Sequence, residues 1–216
     1  MNIAQARKDL FHAVAESLKQ FGFSKRGSEE NFLRLIDSGE QDFYFIVNKR
    51  GSELFVQPRY SITINSIIDI YHQVTTKEKD YFQYSTVLEN SLGELIGYMD
   101  NNKEEGTGGS FNYVMKDLND LQILKQVIPL RFQEYVLPYF NQNSSVERVD
   151  FLLNRNPTRL VMHHWLNPHR IIMGTIAAKL VGNPAYRELV AIYTDEMKGV
   201  AERYSIEFER LLSFFG

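Results

Sequence analysis

Apolar positions recur along this chain at a helical period, then at a strand period, then at a helical period again. Ile3, Leu10, Val14, Leu18 and Phe21, with Arg7 among them, lie three or four residues apart, which predicts one helix with a single core stripe. Asn2 stands where an N-cap would, and Gly22 where a left-handed residue would end the helix. The period then shortens. Asn31 to Asp37, Phe43 to Asn48 and Leu54 to Asn65 are rich in β-branched and aromatic residues, separated by DSGEQD and NKRGSE, both good turn sequences. Tyr60, Ile62 and Ile64 alternate with Ser61, Thr63 and Asn65, the pattern of a strand with one dry and one wet face. Pro58 within that run removes a ladder donor and points to an edge position or a bulge beside Arg59.

Ser66 is placed to cap a short helix over Ile67–Val74, and TTKEKD reads as a solvated connector. Further strands are expected at Ser85–Asn90, Leu95–Asp100 and Phe111–Lys116. The second half is helical. Asp117 and Ser145 look like N-caps, and Pro129 should break or kink the helix that Asp117 opens, with a second piece running to about Tyr139. Asn167-Pro168 and Asn183-Pro184 should each start a helix, while TRLVMHHWL after Asn156-Pro157 reads as a strand or an irregular run. From Leu189 through Tyr193, Met197, Val200, Tyr204, Phe208, Leu211 and Phe215 the steps are 4, 4, 3, 4, 4, 3 and 4, which predicts one long helix weakened at Gly199. Lys198–Glu202 and Arg203–Glu207 would support its wet side.

The expected fold is α+β: an N-terminal helix, an antiparallel meander of about five or six strands, then a helical C-terminal half packing on the sheet. No Pro/Gly/Ser linker divides residues 1–116 from 117–216, so 1–216 is read as one domain.

Composition narrows function mainly by exclusion. There is no cysteine, so disulfides, thiol catalysis and cysteine-ligated metals are out. Twenty-four basic against 27 acidic residues, a net charge of −3, argue against a nucleic-acid binder. No apolar run reaches membrane-spanning length and the N-terminus lacks a signal-peptide core, so a cytoplasmic protein with no membrane contact is expected.

HHWLNPHR, His163 to Arg170, is the densest chemical stretch. On a strand His163 and His164 would face opposite ways, so only one could meet His169, and no acidic residue lies between Asp150 and Glu188. His169 and Arg170 would also fall in the first turn of a helix, where anions are favoured. The residues favour the plainer reading, in which Asn167 and Pro168 start a helix and the imidazoles are satisfied locally. No catalytic residue, metal site or cofactor is assigned. EGTGGS, Glu105 to Ser110, lacks the lysine and spacing of a phosphate loop and reads as a hairpin loop. The acid pairs Glu29-Glu30, Glu104-Glu105 and Asp195-Glu196 read as solvated charges. Tyr81 in DYFQYS packs in the core or stands out as an aromatic anchor, since aromatics are enriched at protein interfaces.

ESLKQFGFSKRGSEENFLRL, Glu16 to Leu35, with its G-F-x-K-x-G after a helix, resembles the opening of a family of uncharacterised bacterial cytosolic α+β proteins. EYVLPYFNQNSSVERVDFLLN and IIMGTIAAKLVGNPAYRELV resemble later parts of the same group. Some of its members are thought to act as immunity or interaction proteins, so the resemblance implies binding and carries over no catalytic residue. The candidate binding residues are then His164, His169, Arg170, Arg59, Tyr60 and Tyr81, with a protein partner engaged by a sheet face or edge near Pro58–Tyr60. Two other readings stay open: a small-molecule or metal-assisted enzyme using His164 and His169, and a structural homodimer through the C-terminal helix in place of a monomer.

Overall fold

The computed structural model describes residues 3–27, 30–101 and 113–216. Asn2, Glu29, the pair Glu104-Glu105, the loop Glu105–Ser110 and Phe111 lie outside the described residues. Helix α1, Ile3–Lys19, buries Leu10, Phe11, Val14 and Leu18, and leaves Arg7 outside to pair with Glu30. Gly22 follows it at φ 84°, a conformation that favours glycine.

Six antiparallel strands follow among the described residues: β1 (Ser24–Lys25), β2 (Asn31–Ile36), β3 (Gly39–Arg50), β4 (Glu53–Ile64), β5 (Leu88–Ser91) and β6 (Tyr113–Met115). The order is β1-β2-β3-β4-β5, with β6 also on β4. The fold is α+β, as the periodicity predicts. Pro58 needs neither an edge strand nor a bulge. β4 pairs without interruption with β3, Pro58 opposite Phe45. On its other side β6 covers Leu54–Val56 and β5 covers Arg59–Ile62, so Pro58 falls between them, where its missing N–H costs least.

Two segments depart from expectation. Leu95–Asp100 is not a strand: helix α3, Leu92–Asn101, covers it. Ser91 Oγ accepts from the Glu94 N–H, as a capping Ser three residues before Glu should. Helix α2 runs Asn65–Val74 and starts ahead of Ser66 with no side-chain cap. DYFQYS lies in a 3-10 turn, Lys79–Tyr84, and the strand after it begins only at Leu88.

Asp117 caps α4, Leu118–Arg131, by accepting from the Asn119 and Asp120 N–H groups. Pro129 does not end the helix. The chain passes through a π-turn, Phe132–Val136, into α5, Leu137–Gln142, which absorbs the disturbed hydrogen bonding. This stretch covers one sheet face: Phe132 packs on Phe43 at 5.0 Å, and Tyr139 on Tyr60 at 5.0 Å.

The remaining helices gather around α7, Asn167–Leu180, whose residues 169–178 are all buried. A helix apolar or buried on every side belongs inside a core. Ser145 caps α6, Val146–Asn154, and Gly174 lets α6 and α7 approach: a Cβ there would stand 2.5 Å from Asn154 Oδ1. The long C-terminal helix is two helices. α8, Tyr186–Glu196, passes through a short turn at Met197–Gly199 and an extended Val200 before α9, Glu202–Phe215. Leu189, Tyr193, Met197, Tyr204, Phe208 and Leu211 are all buried within the chain's own core. Glu207 is not on a wet side either. It is 2 % exposed and accepts from Thr75, Thr76 and Tyr71. Among the described residues, no helix is long and apolar enough to cross a membrane.

Candidate functional site

Met162 to Leu166 runs beside β5. The Glu89 N–H donates to the His163 carbonyl at 3.0 Å, and Asn90 Nδ2 to the Met162 carbonyl at 2.5 Å. Glu89 and His164 form one isolated parallel bridge, so the segment is an irregular run touching the sheet edge. The two imidazoles point apart. His163 Nδ1 lies 2.9 Å from the Tyr139 hydroxyl, and its ring meets Tyr98 edge-on at 4.9 Å. His164 turns toward α7, where its Nε2 lies 3.0 Å from His169 Nδ1.

The protons in that pair follow from the backbone. The Leu166 N–H donates to His164 Nδ1 at 3.2 Å, so neutral His164 carries its proton on Nε2. That N–H donates to His169 Nδ1, and His169 must be protonated on Nε2. This nitrogen is buried without a hydrogen-bond partner, in a ring that meets Tyr71 edge-on at 4.9 Å. Burial drives all three imidazoles to the neutral form: His163 is pushed down to about 3, with Arg155 and Arg148 adding to it, His164 down to about 4, and His169 well below the usual range.

Arg170 is 1 % exposed, and its guanidinium donates to Asn167 Oδ1 at 2.7 Å, the Leu153 carbonyl at 2.8 Å and the Pro157 carbonyl at 2.9 Å. Asn167 therefore does not cap α7; it is the first helical residue and holds Arg170. The guanidinium clamps the end of α6 to α7, with all three of its nitrogens donating within the protein. Of the three histidines only His164 and His169 come together, at 4 % and 6 % exposure, without a carboxylate bonded to either. Among the described residues, no three His, Asp or Glu side chains are grouped to hold a metal ion. Tyr60 is fully buried on the covered sheet face, so it presents nothing to a surface partner, whereas Tyr81 is 57 % exposed and Trp165 60 %.

Arg59 leads elsewhere. Register places Asn31, Leu33 and Leu35 of β2, Glu40, Asp42, Tyr44 and Ile46 of β3, Gln57, Arg59 and Ser61 of β4, and Glu89 of β5 on the sheet's second face. A pocket of about 500 Å³ opens there, lined by Arg26, Asn31, Asp42, Tyr44, Ser61, Thr86 and Glu89. Glu89 is its best-held carboxylate. The Tyr44 hydroxyl donates to it at 2.5 Å, Thr86 at 2.9 Å and Arg59 at 3.3 Å. Burial works against its charge, but Tyr44, the nearby His164, Arg59 and Thr86 outweigh this and hold its pKa below the usual carboxylate range.

Asp42, two strands away in the same cross-strand row, behaves oppositely. Burial pushes its pKa up to about 6, against the pull of Arg26 and with help from Glu40. Its Oδ1 is buried without a partner, as is Asn31 Oδ1 on the adjacent strand. Apart from Arg59, the residues of this group carry no signal of their own in the sequence. Alternation in GEQDFYF does place Asp42 and Tyr44 opposite Phe43, but nothing local says that Glu89 and Thr86 arrive beside them. Comparison with protein-family models, curated proteins and solved structures finds no match.

Proposed function

We propose that the protein is a non-enzymatic binding protein that docks a protein partner on the second face of its sheet. The observation that carries this reading is the pocket itself: a polar recess with buried, unsatisfied acceptors, on a face where Leu35 is 71 % and Ile46 41 % exposed. Apolar side chains on either side of a polar recess suit a partner that is anchored by packing and oriented by hydrogen bonds. The histidine turn supports an enzyme less well, because its reactive nitrogens are buried and bonded to one another.

The test is recovery of a stoichiometric partner by the full chain from native lysate, repeated with Leu35→Glu/Ile46→Glu. Leu180→Glu, at an exposed site on α7, is the control. The face variant should lose at least tenfold in capture and the control none. Equal capture by the face variant, or no stoichiometric partner at all, overturns the proposal.

A further inference from the structure

The charges around the pocket do not balance. Arg26 donates to Glu40 at 2.5 Å, and Arg59 to Glu89 at 3.3 Å, so two guanidinium groups neutralise two carboxylates. Asp42 is the third carboxylate. The cation nearest to it is the same Arg26, 3.7 Å away and already engaged with Glu40. Three donors at the pocket are also engaged: the Tyr44 and Thr86 hydroxyls and the Arg59 guanidinium are all turned to Glu89. Asp42 Oδ1 and Asn31 Oδ1 are left as acceptors without donors, on adjacent strands and at the same pocket wall. An anion entering here would meet an unbalanced carboxylate and two committed arginines. A group with positive charge and several N–H donors would restore neutrality and satisfy both oxygens.

We propose that the pocket receives the protonated head of an arginine or lysine side chain from the partner protein, with Asp42 as counter-ion and Asn31 Oδ1 as second acceptor. This rests on the reading of the sheet face as a docking surface and names what the recess recognises. The attraction is strengthened because Asp42 is largely out of water, its side chain being 13 % exposed. The terminal torsion of an aspartate is broad, so the free oxygen turns toward an incoming donor at little cost. The volume, about 500 Å³, is within the ordinary range for a site that encloses a side chain or small ligand.

The test is a titration of the full chain followed by nuclear magnetic resonance, with N-acetyl-arginine amide, N-acetyl-lysine amide and the neutral N-acetyl-citrulline amide as probes. Either cation should shift the signals of Asn31, Asp42 and Thr86 saturably, with citrulline at least tenfold weaker. Asp42→Asn keeps the shape and removes the charge, and should weaken cation binding at least tenfold while the thermal transition shows the fold intact. No saturable shift at about 100 mM, or an equal response to citrulline, overturns the inference. Butylammonium binding tenfold tighter than both amides overturns the assignment to a partner's side chain. The two proposals fail separately. Capture of a partner by Asp42→Arg as well as by the parent chain sinks this one and leaves docking standing. Cation binding in a chain that captures no partner overturns docking, and with it the assignment to a partner's side chain, and leaves the recess as a cation site alone.

Discussion

The histidine turn and the sheet-face pocket are both polar and both largely buried, yet they are built on opposite principles. In the turn, donors meet acceptors inside the protein: Arg170 reaches three oxygens, His164 takes the Leu166 N–H, and His163 meets Tyr139. One imidazole nitrogen, His169 Nε2, is left over. In the pocket, Glu89 gathers the donors while Asp42 and Asn31 keep unused acceptors beside an opening. Internal satisfaction stabilises a fold and leaves little for a ligand. Unsatisfied groups at an opening lower stability and are the ones a partner can complete. A crowded chemical motif is thus a poorer guide to a binding site than a count of which polar atoms the protein leaves unpaired.

The sharpest way to break this contrast is to remove Arg170. Arg170→Met should lower stability by about 3 kcal/mol in urea unfolding, because three buried acceptors lose their donor together. A loss below about 1 kcal/mol would mean the turn is not internally satisfied in the sense argued.

Acidification comes next, and the two regions respond with opposite sign. The imidazoles of His163 and His164 titrate at about 3 and about 4 in the fold, against an ordinary 6.5. Below pH 6.5 the unfolded chain takes protons that the folded chain refuses. The stability contributed by each neutral, buried imidazole is therefore complete above pH 6.5 and is lost as pH falls toward the folded value. Between pH 7 and pH 5 this amounts to roughly 2 kcal/mol for His164. His164→Leu should flatten the dependence of the urea midpoint on pH in that interval; an unchanged slope would show the imidazole to be accessible.

Asp42 runs the other way at smaller amplitude. Its folded pKa, about 6, lies above the ordinary 3.8, so its contribution is complete below pH 3.8 and is lost as pH rises through 6. Asp42→Asn should raise stability at pH 7 by about 1 kcal/mol after allowance for partial exposure. A fall of that size would make the carboxylate a structural group and remove the contrast. Smallest of all, Leu35→Thr should move the thermal transition hardly at all, by less than about 0.5 kcal/mol in equivalent stability, since this side chain already faces water.

Local signals in the chain made much of this fold legible. The α1 stripe and the caps Asp117 and Ser145 are decided by neighbouring residues and stand where expected; the strands from Asn31 to Ile64 do too, except that β3 starts at Gly39, so Glu40, Gln41 and Asp42 of the expected turn are strand residues. The helix over Leu92–Asn101 was legible too, through Ser91 and Glu94, but is hidden when only its apolar residues are read. Gly199 shows the limit. The apolar steps continue undisturbed across it, because residues on both sides pack inward whether or not the helix is continuous. His163 and His164 do point apart, but in an irregular run and not on the strand from which alternation would predict it.

By itself, then, the sequence determined the fold class, several helix starts and which faces of the first helix and the early strands are dry. Those properties depend on residues within a few positions of one another. Tertiary structure alone decided that Arg170 is a buried clamp, that Glu207 is held in the core, and that Glu89 collects the donors Asp42 lacks. Such outcomes depend on groups tens of residues apart being brought within hydrogen-bonding distance. Periodicity carries no record of which of them arrives first at a shared donor.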